Sequence, residues 1–143
     1  MILKKPFFLF LFLLVLVIGV LQQFAVYYYW YWLYVWFDIL MHFLGGFWFG
    51  FSALWILFFS GYLKIPDRKT FGFFVLVAFC SSISVGIAWE IFEYIAGVTS
   101  FVDGYVFDTV KDLIMDTFGG IVSAIFLYKA YQKQIIKNNN VIS

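Results

Sequence analysis

Residues 37–50 read FDILMHFLGGFWFG, an apolar and aromatic run that nevertheless carries two ionisable side chains. Asp38 and His42 lie four residues apart, and the paired glycines Gly45 and Gly46 follow His42 closely. An ionised group inside a bilayer costs several kcal/mol unless it is protonated, paired or hydrated. The stretch therefore predicts a membrane helix that contains a polar site.

Composition extends this prediction to the whole chain. Of its 143 residues, 65% are hydrophobic and only 12% are charged, so there is too little polar surface to cover a soluble core. The net charge of +1 indicates neither a nucleic-acid partner nor an acidic soluble partner. We expect an all-α integral membrane protein.

The apolar runs predict four transmembrane helices. A helix needs about 20 apolar residues to cross a bilayer, which places the spans at roughly 7–27, 34–60, 71–96 and 108–129. No small-residue cleavage site follows the first run, so we expect it to remain as a span. The four helices form one transmembrane domain over residues 1–143, which ends in a polar cytoplasmic tail at 130–143.

The basic residues predict the orientation. With both termini in the cytoplasm, Lys111 is the only basic residue outside, and positively charged residues favour the inside. The other eight of the nine are then cytoplasmic: Lys4, Lys5, Lys64, Arg68, Lys69, Lys129, Lys133 and Lys137.

In this topology the acidic residues of three helices gather near the extracytoplasmic face. Each lies in line with small residues at helical spacing, as Asp116 does with Gly119, and small residues mark the faces where membrane helices approach closely. Crowded carboxylates raise one another's pKa or bind a cation, and oxygen ligands with one imidazole suit Mg²⁺, Mn²⁺, Zn²⁺ or Fe²⁺. The predicted metal ligands are Asp38, His42, Glu90, Glu93, Asp112 and Asp116, with Asp108 in a second tier.

Simpler interpretations stay open for individual residues. Asp38 and His42 fit a hydrogen-bonded pair at a helix end, and Asp108 fits an N-cap. Glu90 and Glu93 lie near enough to a helix end to reach the surface. The aromatic run at 26–37 is typical of a membrane-interface belt, and a platform for a lipid or polyprenyl chain is the alternative.

Three classes of function fit these features. The first is a metal-dependent enzyme that acts on a lipid or lipid-linked envelope substrate. The second is a component of a proton or cation pathway. The third is a structural or partner-binding membrane subunit in which the acidic cluster ties the helices together. No catalytic residue and no oligomeric state can be assigned from the sequence.

Three ordered motifs also resemble a known family: Asp38-x-x-x-His42-Phe43-x-x-Gly46, Glu90-x-x-Glu93-Tyr94, and Asp112-x-x-x-Asp116 leading into Gly119-Gly120. They resemble the YjdF-type family of predicted bacterial inner-membrane proteins. More distantly they are similar to the VanZ-like family, which is associated with glycopeptide-antibiotic tolerance. VanZ-like chains usually carry lysine where this chain has Ile39 and asparagine where it has Asp116. The resemblance implies a plasma (inner) membrane location and a shared polar site, but no reaction.

Overall fold

The computed structural model describes residues 4–61, 63, 70–97 and 104–142, and every regular element within these ranges is a helix. A π-helical turn over Trp55–Phe59 continues the third helix toward Ser60. The α-helices are α1 (Lys4–Tyr27), α2 (Trp30–Leu33), α3 (Val35–Leu54), α4 (Phe71–Ala96) and α5 (Tyr105–Ile142). The predicted all-α class is confirmed.

Among the described residues, three helical segments are long and apolar enough to cross a membrane, namely Lys5–Tyr27, Val35–Phe59 and Phe71–Ala96. They agree with the first three predicted spans to within two residues at each end. The helix α5 covers the predicted fourth span and continues through the segment predicted as a polar tail. Its crossing of the membrane and the side on which the termini lie stay predictions.

Glycines let α3 and α5 pack with their backbones in contact. A Cβ atom at Gly46 would fall on the backbone of Asp116, and a Cβ atom at Gly119 would fall on the carbonyl oxygen of Phe43. Both glycines are buried. Only residues without a side chain permit this approach, which brings the polar groups of the two helices together.

The helix α4 packs against the neighbouring face of α5 in the same way. A Cβ atom at Gly86 would meet the Asp116 carboxylate and would lie 3.0 Å from Leu113. On α5, a Cβ atom at Gly120 would meet the hydroxyl of Ser82. The three helices α3, α4 and α5 therefore form the centre of the bundle.

The other half of the bundle has an apolar core, to which α1 contributes Leu11. The indole Nε1 of Trp48 donates to the carbonyl oxygen of Leu11 at 2.9 Å, and the ring of Phe7 meets Phe51 edge-on at 5.4 Å. Most large side chains of α1 are exposed, as expected for a lipid-facing helix. The core consists of Leu11, Phe51, Leu54, Phe58, Phe59, Phe74, Ala78, Ala124 and Leu127.

Two tight turns position the polar end of the bundle. Tyr29 adopts a left-handed conformation (φ 56°) between α1 and α2, and the hydroxyl of Tyr31 donates to the side chain of Gln22. Gly97 ends α4 with φ 71°, which a glycine adopts without the strain of a Cβ atom. The hydroxyl of Tyr31 has its pKa raised to about 12, first by burial and then by the nearby Asp38 carboxylate.

Candidate functional site

His42 lies among three carboxylates supplied by α3 and α5. Its Nδ1 atom is 3.2 Å from Asp116 Oδ2, and its Nε2 atom is 3.6 Å from Asp38 Oδ1 and 3.9 Å from Asp112 Oδ2. His42, Asp112 and Asp116 are buried, whereas Asp38 is partly exposed. The structure thus brings together four of the six predicted site residues.

Helical spacing explains how each helix contributes two of these groups. Asp38 and His42 lie one turn apart at the start of α3, and Asp112 and Asp116 lie one turn apart on α5. Gly46 follows His42 by another turn and sits on the backbone of Asp116. The close helix contact at Gly46 therefore sets the distance between the imidazole and the carboxylates.

The two nitrogens of His42 have different surroundings. A carboxylate only accepts hydrogen bonds, so a bond to ionised Asp116 requires the hydrogen on Nδ1. The distances from Nε2 to Asp38 and Asp112 exceed the 2.7–3.2 Å that N–H···O hydrogen bonds usually span. A neutral imidazole held this way presents the Nε2 lone pair to the space between Asp38 and Asp112.

That space has the dimensions of a metal site. One ligand atom each from Asp38, His42 and Asp112 can be chosen so that all three lie within 4.8 Å of one another. Two ligands about 2.1 Å from a tetrahedral metal ion would be about 3.4 Å apart, close to the 3.6 and 3.9 Å between these atoms in the structure. Small side-chain movements would therefore bring the three ligands into coordination distance.

Lys111 closes the other side of this group. Its Nζ atom lies 3.6 Å from Asp38 Oδ2 and 3.6 Å from Asp112 Oδ1, and 2.5 Å from Asp108 Oδ1. Each of Asp38 and Asp112 thus directs one oxygen toward Lys111 and the other toward His42. When ionised, the four aspartates here exceed the positive charge of Lys111 and His42 together, which favours binding of a cation or retention of protons.

Glu90 lies on the adjoining face of α4. Its Oε2 atom accepts a hydrogen bond from Thr109 Oγ1 at 2.6 Å, whereas its buried Oε1 atom has no hydrogen-bond partner among the described residues. Thr109 precedes Asp112 by three residues and shares its side of α5. Glu90 is therefore a neighbour of the site with one unpaired oxygen.

We call Asp38, His42 and Asp112 the three-residue group. Glu93 and Asp108 lie outside it. The Oε1 atom of Glu93 accepts a hydrogen bond from the indole Nε1 of Trp89 at 2.9 Å, near the end of α4. Asp108 lies in the first turn of α5, but its backbone N–H bonds to the carbonyl oxygen of Gly104, so it is not the N-cap, and its side chain pairs with Lys111.

The sequence did not predict the positions of two residues at the site, Thr109 and Lys111. Thr109 could have been found from its spacing to Asp112, which puts both on one side of a helix. In the described part of the chain Lys111 is the only basic residue at this end of the bundle, but its simultaneous approach to three aspartates depends on how α3 and α5 pack.

Comparison with known proteins supports the membrane assignment. A family model described as a predicted membrane protein, DUF2238, matches residues 5–133. Neither a curated protein nor a solved structure matches the chain. The YjdF-type resemblance agrees with this family, and nothing in the comparisons supports the VanZ-like one. The chain belongs to the DUF2238 family of predicted membrane proteins.

Proposed function

We propose that this protein crosses the plasma membrane four times, with α5 as the fourth span and both termini in the cytoplasm. The excess of basic residues in the predicted inner segments supports this orientation. The buried contacts of α5 with α3 and α4 support its place inside the bundle. In this arrangement the group around His42 lies near the extracytoplasmic face.

We further propose that Asp38, His42 and Asp112 bind a divalent metal ion. The observation that carries this proposal is the mutual approach of their three ligand atoms to within 4.8 Å. Asp116 orients the imidazole through Nδ1 rather than binding the metal, because a histidine ligand commonly donates its second ring N–H to a carboxylate. Glu90, Glu93 and Asp108 lie around this centre.

The function that such a centre supports best is hydrolysis of a lipid or lipid-linked phosphate or ester. Three protein ligands leave coordination positions open, as in catalytic rather than structural metal sites. A divalent cation held by Asp38, His42 and Asp112 would supply a water of lowered pKa and would polarise the bond that is attacked. The water oxygen would bond to the phosphorus or carbonyl carbon, the bond to the leaving group would break, and the leaving alcohol or phosphate would take up the proton that the water loses.

The surroundings of the site favour a membrane-borne substrate. Asp38 is the most exposed member of the three-residue group, so access from its side is the shortest. Tyr34, Val35 and Trp36 precede it in the chain, separated from it by the buried Phe37, and are largely exposed. Aromatic side chains at this depth can pack against a lipid or polyprenyl chain whose head group reaches Asp38. Two buried carboxylate oxygens here, Glu90 Oε1 and Asp112 Oδ1, have no hydrogen-bond partner among the described residues, and each can accept a hydrogen bond from a water or substrate that enters the site.

A purely structural role for this acidic cluster is the second candidate function, and the position of Lys111 favours it. Its ammonium group approaches Asp38, Asp108 and Asp112 and so ties α3 to α5 without any bound ion. A proton or cation pathway has less support. The described parts of α3, α4 and α5 contain no Asp, Glu, His, Lys or Arg between this cluster and Lys129 at the opposite end.

Cleavage assays on the reconstituted protein test the enzymatic proposal. The full chain is placed in vesicles that contain a polyprenyl diphosphate, phosphatidate or phosphatidylglycerol, with Mn²⁺, Zn²⁺, Fe²⁺ or Mg²⁺. We expect release of phosphate or head-group alcohol from the leaflet opposite a tag on the C-terminus. The release should stop with EDTA and in Asp112→Asn, because both remove the metal centre.

Asp108→Asn is the matched control, since it also removes a carboxylate near the start of α5 but lies outside the three-residue group. It should retain most of the activity. Equal cleavage by Asp112→Asn and the wild type, or no cleavage with any metal and lipid, would contradict the enzymatic proposal. Cleavage only in the leaflet that faces the tag would contradict the orientation.

A further inference from the structure

An open groove of about 580 Å³ lies between the start of α4 and the second half of α5. Its apolar part is formed by rings and an aliphatic side chain, and the ring of Tyr128 packs on Phe71 at 5.3 Å and on Phe74 at 5.4 Å. The side chains of Lys129, Gln132 and Lys133 also line it, almost wholly with their carbon atoms. The lining residues are Phe71, Ile125, Tyr128, Lys129, Gln132 and Lys133.

The groove and the acidic cluster lie at opposite ends of the bundle. Lys129 follows Asp112 by 17 residues on the continuous helix α5. At 1.5 Å per residue this separation is about 26 Å, comparable with the hydrocarbon thickness of about 30 Å. With α5 as a membrane-crossing helix, which is part of the proposed function, the groove lies at the second membrane boundary.

The charge of the groove is positive. Lys129 and Lys133 are one helical turn apart, are both exposed, and line the same groove. In the described parts of the chain, neither α4 before Glu90 nor α5 after Asp116 contains an acidic residue. An anion at this position would therefore meet two ammonium groups and no opposing carboxylate on these helices.

The start of α4 adds to this potential. Thr70 caps the helix by accepting from the backbone N–H of Phe73 at 3.4 Å, and the N-terminal dipole is positive. A Cβ atom at Gly72 would meet nothing within 4 Å, so space remains beside this turn. The helix end and the two lysines thus favour negative charge at one place.

We propose that this groove binds an anionic phospholipid of the surrounding bilayer. Its phosphate would lie near Lys129 and Lys133, and an acyl chain would follow Phe71 and Ile125 toward the membrane interior. The apolar floor, the paired lysines and the depth at the membrane boundary together match a lipid that has one charged end and a long hydrocarbon end. A free phosphate ion would use only the lysines, and a zwitterionic phospholipid would bring a quaternary ammonium group close to them.

Lipid binding to the full chain in detergent, counted by native mass spectrometry, tests this proposal. We expect dioleoyl phosphatidylglycerol to bind more tightly than dioleoyl phosphatidylcholine. The variant Lys129→Gln/Lys133→Gln should lose roughly 30-fold in affinity for phosphatidylglycerol, since each lysine near an anionic lipid contributes about a fivefold gain. Lys129→Arg/Lys133→Arg should keep the preference because it keeps both charges.

Lys5→Gln is the matched control. It removes a positive charge from the same end of the bundle, where Phe7 of α1 contacts Phe59 and Phe59 contacts Tyr131 of α5, but Lys5 does not line the groove. It should bind phosphatidylglycerol as the wild type does. If circular dichroism shows that the glutamine variant is not folded, the comparison of the two lipids on the wild type and the binding by the arginine variant still test the proposal.

Several results would overturn the proposal. Equal affinity for the two lipids would do so, as would equal losses in Lys5→Gln and in the glutamine variant. Displacement of phosphatidylglycerol by millimolar inorganic phosphate would assign the lysines to the free ion. A dimer that dissociates in the glutamine variant while lipid binding stays unchanged would assign the groove to a second copy of the chain.

Discussion

Replacing Gly46 with leucine is expected to prevent α3 from closing on α5 and to leave little folded protein. A Cβ atom at this position falls on the carbonyl oxygen, carbonyl carbon and Cα of Asp116, and backbone atoms cannot rotate away as a side chain can. Overpacking that side chains absorb costs about 1–3 kcal/mol, and a helix displacement costs more. We expect a loss of at least about 3 kcal/mol, measured by unfolding in detergent, with aggregation in size-exclusion chromatography.

Gly19→Leu provides the control for this experiment. Gly19 also lies inside a membrane helix, but a Cβ atom there would meet nothing within 4 Å. This variant should be as stable as the wild type or slightly more stable, because leucine favours helix over glycine. A Gly46→Leu variant that stayed monodisperse with unchanged unfolding would show that the contact between α3 and α5 is not as close as the structure has it.

Asp116→Asn is expected to weaken divalent-metal binding roughly 10- to 100-fold while the helices stay folded, because loss of the carboxylate that orients a ligating imidazole typically has this effect. Asparagine keeps the shape of the side chain but removes the charge beside His42 Nδ1. Removing a buried charge also relieves its desolvation, so stability should change little. Calorimetric titration of the metal-free wild type and variant with Mn²⁺ and with Zn²⁺ measures the change in metal affinity.

Asp108→Asn again serves as the comparison for Asp116→Asn. Its carboxylate pairs with Lys111 and forms no ion pair with His42, so its loss should alter metal affinity by no more than a few-fold. An affinity unchanged in Asp116→Asn would contradict its orienting role. A gain in stability together with no metal binding by the wild type would favour the structural cluster instead.

The pattern of small and acidic residues predicts much of this arrangement. Alignment of Asp112, Asp116 and Gly119 on one face of a helix follows from the helical period, and all three are buried in the structure. The same reasoning places Ser82, Gly86 and Glu90 on the buried face of α4. Apolar run length is enough to locate the first three spans because bilayer thickness fixes it.

The arrangement of side chains within the site depends on tertiary packing and is less predictable. Glu90 and Glu93 are both near the end of α4, but only Glu90 is buried. The packing of α4 against α5 decides which of the two side chains faces the bundle. Lys111 has a long, flexible side chain, and its direction toward Asp38 and Asp112 depends on the position of α3. The continuation of α5 to Ile142 is also hard to predict, because polar residues form helices as readily as tails.

Metal analysis of the purified chain tests the proposed centre of Asp38, His42 and Asp112 most directly. The wild type, Asp112→Asn and Asp108→Asn are stripped with chelator in detergent, incubated with Mn²⁺, Zn²⁺, Fe²⁺ or Mg²⁺, desalted and measured by elemental analysis. We predict one bound ion per chain in the wild type and in Asp108→Asn, from the single three-residue group among the described residues, and almost none in Asp112→Asn. A wild type that binds none of these metals, or an Asp112→Asn variant that binds as much as the wild type, would contradict the metal site.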